Sequence, residues 1–588
     1  MKRRILVMAI AIFFMFTVLL GRLMEIQLFQ TEHFSKHRVN LIKESVKQRT
    51  LELVLDDGRG QFLDSEGNPL SVEKKPVLVL FPFINTIDWK SGELARILNI
   101  PQAELERQVA NAKEPFVAGL DQPYILTEEQ KKQIERLRVP GVFAVEKQFP
   151  AAKPLAGQFI GVYGENEKMF KGRYPKKDRT NIKLGITGLQ YHFDEFLLPE
   201  RESKLVYHVD GLGHPLFGIQ VKYTGDGNPF YPLQVKTTIK RAYQEKIEEL
   251  LDLHYIQKGG AILLDVQTNE ILAAASRPHI NPKNPYSDEG SVNWMFKQLI
   301  PGSVFKTVVA AAAIEEGLVK EEEIYHCDEG LRGEAANRQL GNLNFEDSFA
   351  QSCNIAFAEL AWKLVKEDPA KLEKYARKMG VIDSVAWEDK LFHIEHFRQF
   401  GHDEGRIFAD EKSKRDRNYV FQTGIGQQEV RLSPVSVANM MATIARGGKK
   451  MTVKAVSEIQ YGNGTVMAKF DQKRLKGEEL APYTAIQLQR LLRKVVTEPN
   501  GTGNVFQNLP YEVAGKSGTA ETARMKDGEQ LHNKWFAGYF PFDNPKYALV
   551  VVNLDVPPNE GGINKLFADI VSMIYEENQV HANFSPNQ

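Results

Sequence analysis

The sequence predicts an α+β protein with an N-terminal transmembrane helix, a mixed α/β domain behind it, and a C-terminal domain of antiparallel sheet flanked by helices. Three observations predict it. Residues 5–21 are uncharged and mostly apolar, and 25–225 interleave short strand and turn patterns with helical pieces. Beyond 226, apolar helical runs at 304–314 and 355–361 precede strand-like segments at 535–540 and 547–554. With 588 residues the chain is long enough for more than one core. The expected division is 1–24 as cytoplasmic tip and anchor, 25–225 as spacer or dimerisation domain, 226–577 as the main C-terminal domain, and 578–588 as a polar, frayed tail.

Lys2, Arg3 and Arg4 precede the apolar run, so the positive-inside rule leaves the start in the cytoplasm and the rest outside. Counting Leu23 and Met24, with Arg22 snorkelling, the stretch reaches about 20 residues or about 30 Å, enough for one bilayer. A cleaved signal peptide is the alternative. No small-x-small site follows the run, because Leu19, Leu20, Arg22 and Leu23 occupy its place. The expectation is a single-pass protein of the cell membrane with its bulk outside.

Lys plus Arg and Asp plus Glu each number 75, a formal net charge of +0, so no basic field argues for nucleic acid. Residues 25–225 carry helical pieces at 91–98 and 128–137 but no nucleophile constellation and no internal repeat. His393, His396 and His402 lie in the charged, aromatic stretch 387–417. Their spacing alone would admit a metal, yet no third ligand type or second pair supports one, so a solvated insertion is expected and no metal or cofactor is required.

Chemistry concentrates in three strings: Ser303-Val304-Phe305-Lys306, Ser352-Cys353-Asn354 and Lys516-Ser517-Gly518-Thr519. Each is cheap alone. Ser71-Val72-Glu73-Lys74 repeats the first, Ser291-Val292-Asn293 and Ser585-Pro586-Asn587 the second, and Lys90-Ser91-Gly92 the third. Context selects among them. Pro301 and Gly302 break the chain before Ser303, and the Val- and Ala-rich run predicts a buried helix that starts at Ser303 and puts Lys306 on the same face. The helix N-terminus also offers unpaired N–H groups and a partial positive charge. Ser71 instead precedes a strand at 77–81, where residues three apart point to opposite faces. Lys90 opens a helix, for which Ser-Gly is sufficient explanation. Ser352 and Asn354 stand where a loop over 344–352 meets the helical 355–361; an N-cap with a solvent-facing amide is the bland alternative. Lys516 falls on the first of consecutive antiparallel strands, near the sheet edge, where Gly515 and Gly518 leave room for a ligand backbone.

Of the 2 Cys, Cys353 lies inside the second string and Cys327 upstream of it. A disulfide between them would burden the loop that carries Ser352 and Asn354, so none is expected. No His is placed by sequence to make Cys353 a nucleophile.

Together the strings resemble the S-x-x-K, S-x-N and K-S-G signature of penicillin-binding proteins and class A β-lactamases. Gly259-Gly260-Ala261-Ile262 through Arg277-Pro278 is similar to the opening strand pair of the class B penicillin-binding protein transpeptidase domain. Gly424-Ile425-Gly426-Gln427 with Leu432-Ser433-Pro434 is similar to the segment under its active-site floor. Upstream, Gly58-Arg59-Gly60-Gln61, Phe149-Pro150 with 157–161, and Gly188-Leu189-Gln190 resemble landmarks of the membrane-proximal pedestal, with Phe149 where a tyrosine is usual. The resemblance spans most of the chain and is strongest over 226–555.

That resemblance implies a serine β-lactamase-like catalytic domain on an extracytoplasmic pedestal, acting as a peptidoglycan D,D-transpeptidase. Ser303 would be the nucleophile, Ser352 the proton relay to the leaving amine, and Asn354 the holder of the donor amide. Lys516 would set the field, Ser517, Gly518 and Thr519 would bind the terminal carboxylate, and the N–H groups of Ser303 and Thr519 would form the oxyanion hole. The implied partners are stem peptides ending in D-Ala-D-Ala, an acceptor amine, β-lactams that trap the serine, and a glycosyltransferase with other cell-wall synthesis proteins.

Residue type itself points to Lys306 as the base, the one titratable group a helical turn from Ser303. A free lysine titrates near about 10.4, so holding it half neutral near pH 7 takes about 4 to 5 kcal/mol. Burial and a second cation, Lys516, supply it. A D,D-carboxypeptidase or β-lactam hydrolase would share the strings but pass the acyl group to water; the long pedestal and single anchor argue against both. A non-catalytic β-lactam receptor or divisome scaffold is the remaining reading, and the sequence lacks the H-E-x-x-H and several spans of such a receptor. Residues 25–225 show no sign of the glycosyltransferase domain of a bifunctional class A enzyme.

Overall fold

The computed structural model describes residues 2–32, 34–35, 39–119, 122–151, 154–175, 183–199, 202–210, 214–216, 222–224, 230–281, 284–320 and 322–584. At the amino terminus a helix over Lys2–Met24 continues as a π-turn over Glu25–Phe29. None of the helix is buried, and among the described residues the segment Lys2–Phe29 is the one helix long and apolar enough to cross a membrane.

The chain divides into two compact units. The first comprises Met1–Arg59, Val72–Pro150 and Pro199–Pro229. Strand Val72–Leu80 pairs with Val142–Pro150 along its whole length and with Phe116–Val117 at one end. Val77 through Phe81 are all fully buried, packed by Leu94 and Leu105 from helices and by Tyr207. Helix Glu128–Leu137 begins at Thr127, whose hydroxyl caps Gln130 N–H while the Gln130 side chain caps Thr127 N–H. Such a reciprocal cap fixes where the helix starts.

The second unit comprises Gly60–Ser71, Ala151–Leu198 and Phe230–Gln588. Its centre is an antiparallel sheet of β1 (Gly259–Asp265), β2 (Ile271–Arg277), β3 (Ala514–Lys526), β4 (Glu529–Phe540) and β5 (Tyr547–Val556), in the order β2-β1-β5-β4-β3. Side chains alternate between two cores, as the two-residue period of a strand demands. Leu263, Leu549, Val551 and Phe536 face helices Arg241–Leu253 and Asn564–Phe584 through Ile247, Leu566 and Phe567. Ile262, Val550, Val552 and Ala537 face the other core, with Met440 of helix Pro434–Ala445 and Val308 of helix Lys306–Glu315. Each such buried side chain is worth about 1.5 to 3 kcal/mol relative to exposure, which explains why both faces read as near-continuous apolar runs. Gly260 is required at its place, because its φ is +152° and a Cβ there would sit 2.0 Å from the Ala275 carbonyl oxygen.

Four expectations are corrected. The units are not contiguous with a boundary at 225: 60–71 and 151–198 belong with the catalytic sheet's unit. Gln61–Leu63 pairs in parallel with Gln234–Thr237, and Phe62, Leu70, Phe159 and Phe193 enter the main core. Helix Phe345–Ala350 occupies most of the 344–352 loop, started by Asn344 Oδ1 accepting from Asp347 N–H at 2.8 Å. The polar tail instead continues helix Asn564–Phe584, and 585–588 lie outside the described residues. Stretch 387–417 is a solvated insertion only in part. A hairpin of Glu388–Leu391 and Ile394–Arg398 exposes His393 and His396, while Phe397, Phe400, Ile407 and Phe408 are buried.

Candidate active site

The site lies where the chain before helix Lys306–Glu315 is pressed onto the edge strand β3. Residues Gly302–Phe305 form a 3-10 turn leading into that helix, so Ser303 sits at its start and Lys306 in its first turn. Gly302 has φ +54°, and a Cβ there would stand 2.3 Å from the Thr519 carbonyl oxygen. A Cβ at Gly518 would stand 2.5 Å from the Pro301 carbonyl oxygen, and one at Gly426 1.9 Å from that of Gly302. Only glycine permits these approaches. The first string, the third string and the segment following Gly424 are therefore in backbone contact. Leu299 and Leu432 exchange both backbone hydrogen bonds at 2.9 Å, and Trp535 Nε1 donates to the Ile300 carbonyl at 3.0 Å. Beneath this floor His402 is a brace. Its Nε2 accepts from Val385 N–H at 2.9 Å, its Nδ1 lies 3.2 Å from Ser433 Oγ, and burial lowers its pKa to about 4.

Lys306 joins the first string to the second. Its Nζ is buried and donates to the Ser352 carbonyl at 2.9 Å, Ser352 Oγ at 3.2 Å, the Cys353 carbonyl at 3.2 Å and Asn354 Oδ1 at 2.8 Å. The turn presenting these acceptors is strained, with Ser352 at φ +62°. A non-glycine residue in that region costs about 1 to 3 kcal/mol, which its surroundings must offset. Cys353 N–H donates to the Ser348 carbonyl at 2.8 Å, and helix Asn354–Glu367 begins immediately afterwards. The Ser303 hydroxyl, half-buried, has no hydrogen-bond partner among the described residues.

Lys516 lies on β3 opposite Ala537, at the sheet edge as expected. It is fully buried; its Nζ donates to the Ser517 carbonyl at 3.3 Å and stands 5.8 Å from the Phe349 ring centroid. Burial, then the Arg338 charge, lowers its pKa to about 7. Burial also lowers the Lys306 pKa well below its ordinary value, aided by the charges of Lys516 and Arg338. Four oxygen acceptors around the Lys306 amine oppose that shift, since hydrogen bonds to the charged form favour it. With desolvation complete and two cations nearby, the downward direction prevails. Thr519 is exposed and Ser517 half-buried.

Cys327 and Cys353 are joined in a disulfide, Cα to Cα 5.6 Å, against the expectation of separate thiols. The bond holds the second string, because Cys353 directly follows the strained Ser352 and its carbonyl accepts from Lys306 Nζ. Closing a loop across a separation of 26 residues stabilises a fold by about 3 to 4 kcal/mol in the chain-entropy account. The Cys327→Ser/Cys353→Ser double variant is expected to lose stability by that order in chemical denaturation, with slower acylation of Ser303. Unchanged stability and acylation would show the bond to be incidental.

Sequence reasoning missed Thr502. Ser517 Oγ donates to Thr502 Oγ1 at 2.8 Å, and Thr502 N–H donates to the Ala350 carbonyl at 3.1 Å, which ties the third string to the end of helix Phe345–Ala350, just before the second. Its signal was the Gly501-Thr502-Gly503 string, a hydroxyl between two glycines. The histidine cluster does not converge: His393 meets Glu195 at 3.1 Å, His396 meets Glu388 at 3.5 Å, and the half-buried His402 bonds Val385 N–H.

Residues 259–572 match the family described as penicillin-binding protein transpeptidase domain. Stage V sporulation protein D of Bacillus subtilis is 26% identical over 530 residues, covering 86% of this chain and 75% of that protein. Peptidoglycan D,D-transpeptidase FtsI of Escherichia coli is 23% identical over 536 residues, covering 87% and 82%. Among solved structures, a chain from a peptidoglycan synthase complex has a TM-score of 0.64 at 23% identity, covering 96% of this chain and 97% of that one. Penicillin-binding protein 2B of Streptococcus pneumoniae has a TM-score of 0.58 at 17% identity, covering 90% and 99%. The chain belongs to the penicillin-binding protein transpeptidase family. Within that family it is a class B member, a serine-type D,D-transpeptidase.

Proposed function

We propose that this D,D-transpeptidase cross-links peptidoglycan stem peptides through an acyl-enzyme on Ser303. The observation that carries the reading is the placement of Lys306 Nζ within hydrogen-bond reach of Ser352 and Asn354, one turn after Ser303, whose neighbour Gly302 is pressed against Thr519. Neutral Lys306 takes the Ser303 proton as Oγ bonds to the carbonyl carbon of the penultimate D-Ala. Negative charge gathers on the carbonyl oxygen, facing the N–H groups of Ser303 and Thr519, where one donor is worth about 3 to 4 kcal/mol. The C–N bond then breaks, and the proton passes from Lys306 through Ser352 Oγ to the departing D-Ala amine. An amine of a neighbouring strand attacks the ester, returns Ser303 its proton by the same relay, and completes the cross-link. Asn354 Nδ2 remains available to the donor amide, since its Oδ1 is the atom engaged by Lys306. Lys516, Ser517 and Thr519 line the carboxylate end, with Gly518 leaving the strand edge clear. β-Lactams present the same carbonyl and carboxylate, and acylate Ser303 without a departing amine.

The helix over Lys2–Phe29, with Lys2, Arg3 and Arg4 at its start, anchors the chain with its catalytic unit outside the cell. The Cys327–Cys353 disulfide supports that compartment, because such bonds persist where thiols are not kept reduced. A glycosyltransferase supplying nascent strands is the partner this chemistry requires. Product analysis of the full chain with lipid-linked precursor and a glycosyltransferase tests the reading. Cross-linked dimers are expected; shortened monomers alone would assign it to hydrolysis.

Lys516 also yields a pH signature. Its charge helps hold the Lys306 pKa down, so in Lys516→Met the Lys306 amine protonates more readily. The acidic limb of Ser303 acylation by a penicillin is expected to move to higher pH than in the wild type. A limb that stays in place would remove Lys516 from the electrostatics of the base.

A further inference from the structure

The chain leaves its membrane-length helix and folds back at once to the place where it left. The segment Lys2–Phe29 has 28 residues, about 42 Å of helix, which matches the about 40–45 Å of a bilayer's hydrocarbon and headgroup layers together. Phe29 therefore falls at the surface of the headgroup layer. Phe34 and Val39 exchange both backbone hydrogen bonds, at 2.8 and 2.9 Å, and Leu41 N–H donates to the Thr31 carbonyl at 2.8 Å. Thr31 is two residues past Phe29, a reach of at most about 7 Å. Helix Leu41–Gln48 thus starts at the membrane surface.

Its residues suit that place. Ile42 and Val46, four apart and so on one face, are 56% and 54% exposed, and Leu28, Phe29 and Val39 are exposed as well. Among the described residues after Val46, exposed large apolar side chains occur singly or in pairs, so this is the one stretch outside the span where they gather. Charge is equally uneven. The whole chain has a formal net charge of +0, yet 30–49 contains five basic against two acidic residues. Lys43 and Lys47 each follow an exposed apolar residue by one position, Arg49 is exposed just after the helix, and Glu44 is the helix's one acid. An apolar pair flanked by cations is the composition of a helix that lies on an anionic lipid surface.

Nothing flexible separates this helix from the pedestal. Thr50 Oγ1 donates to the Val46 carbonyl at 2.9 Å, and Val209 N–H donates to the Arg49 carbonyl at 3.0 Å. Thr50 itself opens a strand, Thr50–Asp56, paired antiparallel with Ser203–His208. Whatever holds the helix therefore holds that sheet.

We propose that helix Leu41–Gln48 is a second membrane contact. Ile42 and Val46 enter the headgroup layer, and Lys43, Lys47 and Arg49 meet anionic phospholipid headgroups, so that the sheet of Thr50–Asp56 is fixed at the bilayer surface. The inference rests on the anchor reading above.

The full chain, its disulfide left oxidised, is reconstituted in vesicles of phosphatidylcholine alone or of an equal mixture with phosphatidylglycerol. A nitrobenzoxadiazole label on Ile42→Cys or Val46→Cys reports contact with lipid that carries a shallow nitroxide. Quenching there is expected to exceed that of the same label on Val466→Cys, an equally exposed valine of the second unit, by at least about 2-fold, and to be stronger in the mixture. Changing Lys43, Lys47 and Arg49 together to Glu is expected to erase the advantage of the mixture. Quenching at 42 and 46 no greater than at 466 would overturn the contact and leave the apolar pair to a protein partner. Equal quenching in both vesicles, or an advantage that survives the charge reversal, would overturn recognition of anionic lipid. A label on Phe14→Cys, read with a deep nitroxide, separates the two readings. Quenching at 14 without quenching at 42 and 46 defeats the helix contact alone, whereas no quenching at 14 defeats the anchor and the inference with it.

Discussion

Ser303→Ala is expected to abolish covalent labelling by a fluorescent penicillin and to lower transpeptidation by at least about 10⁴-fold, with the folded state unchanged in stability. Losses of that size follow removal of a serine nucleophile whose oxyanion site survives. The structure gives the reason for separating activity from stability here. The Ser303 hydroxyl is half-buried and has no hydrogen-bond partner among the described residues, so truncating it leaves no acceptor or donor orphaned. Gly302 and Gly518, which hold the turn against β3, are untouched. A surface or partner-free hydroxyl typically changes stability by no more than about 0.5 kcal/mol. Peptide mapping of the labelled wild type and thermal unfolding of the variant check both halves. A label persisting in Ser303→Ala, or recovered on a peptide without Ser303, would move the nucleophile elsewhere.

How much of this site was legible in the sequence depended on whether a residue's role is local. Ser303 and Lys306 are three apart on one helix, so their proximity follows from helical geometry. The edge position of Lys516 followed from a strand flanked by glycines and trailed by two more strands. The disulfide was misjudged because its merit is long-range: Cys327 is brought to Cys353 by the chain over 327–341 folding back so that Cys327 N–H meets the Gly341 carbonyl, which no local pattern announces. The same holds for Thr502, whose neighbour Ser517 is far along the chain. Segments 60–71 and 151–198 were given to the wrong unit for a related reason. A three-residue strand, Gln61–Leu63, finds its parallel partner at Gln234–Thr237, and such short pairings carry no periodicity of their own. His402 looked solvated because charged neighbours surround it in sequence, yet the backbone N–H of Val385 draws its ring inward.

The larger consequence lies with Lys306, where two opposing effects meet and an experiment separates them. Lys306→Met removes the base, and general-base catalysis is worth about 10² to 10⁴ in rate, so acylation of Ser303 is expected to fall by that factor. Methionine fills nearly the same volume beside the Phe357 ring, which stands 5.6 Å from Nζ. It cannot donate to Ser352, Cys353 or Asn354, however, so the strained turn loses the bonds that hold it, at about 1 to 3 kcal/mol. Proton linkage then reports the charge of the amine. Burial lowers the folded-state pKa of both Lys306 and Lys516 below that of the unfolded chain. Between about 7, the folded value for Lys516, and about 10.4, the free value, the unfolded state binds more protons at both positions. Stability therefore rises with pH through that window, by up to about 1.4 kcal/mol per pH unit for each lysine. Lys306→Met removes one of the two contributions, and the slope of unfolding free energy against pH is expected to fall by up to half. If the slope is unchanged, the four oxygens around Nζ have outweighed burial, Lys306 is an ammonium in the resting site, and the base that activates Ser303 must be sought in another group.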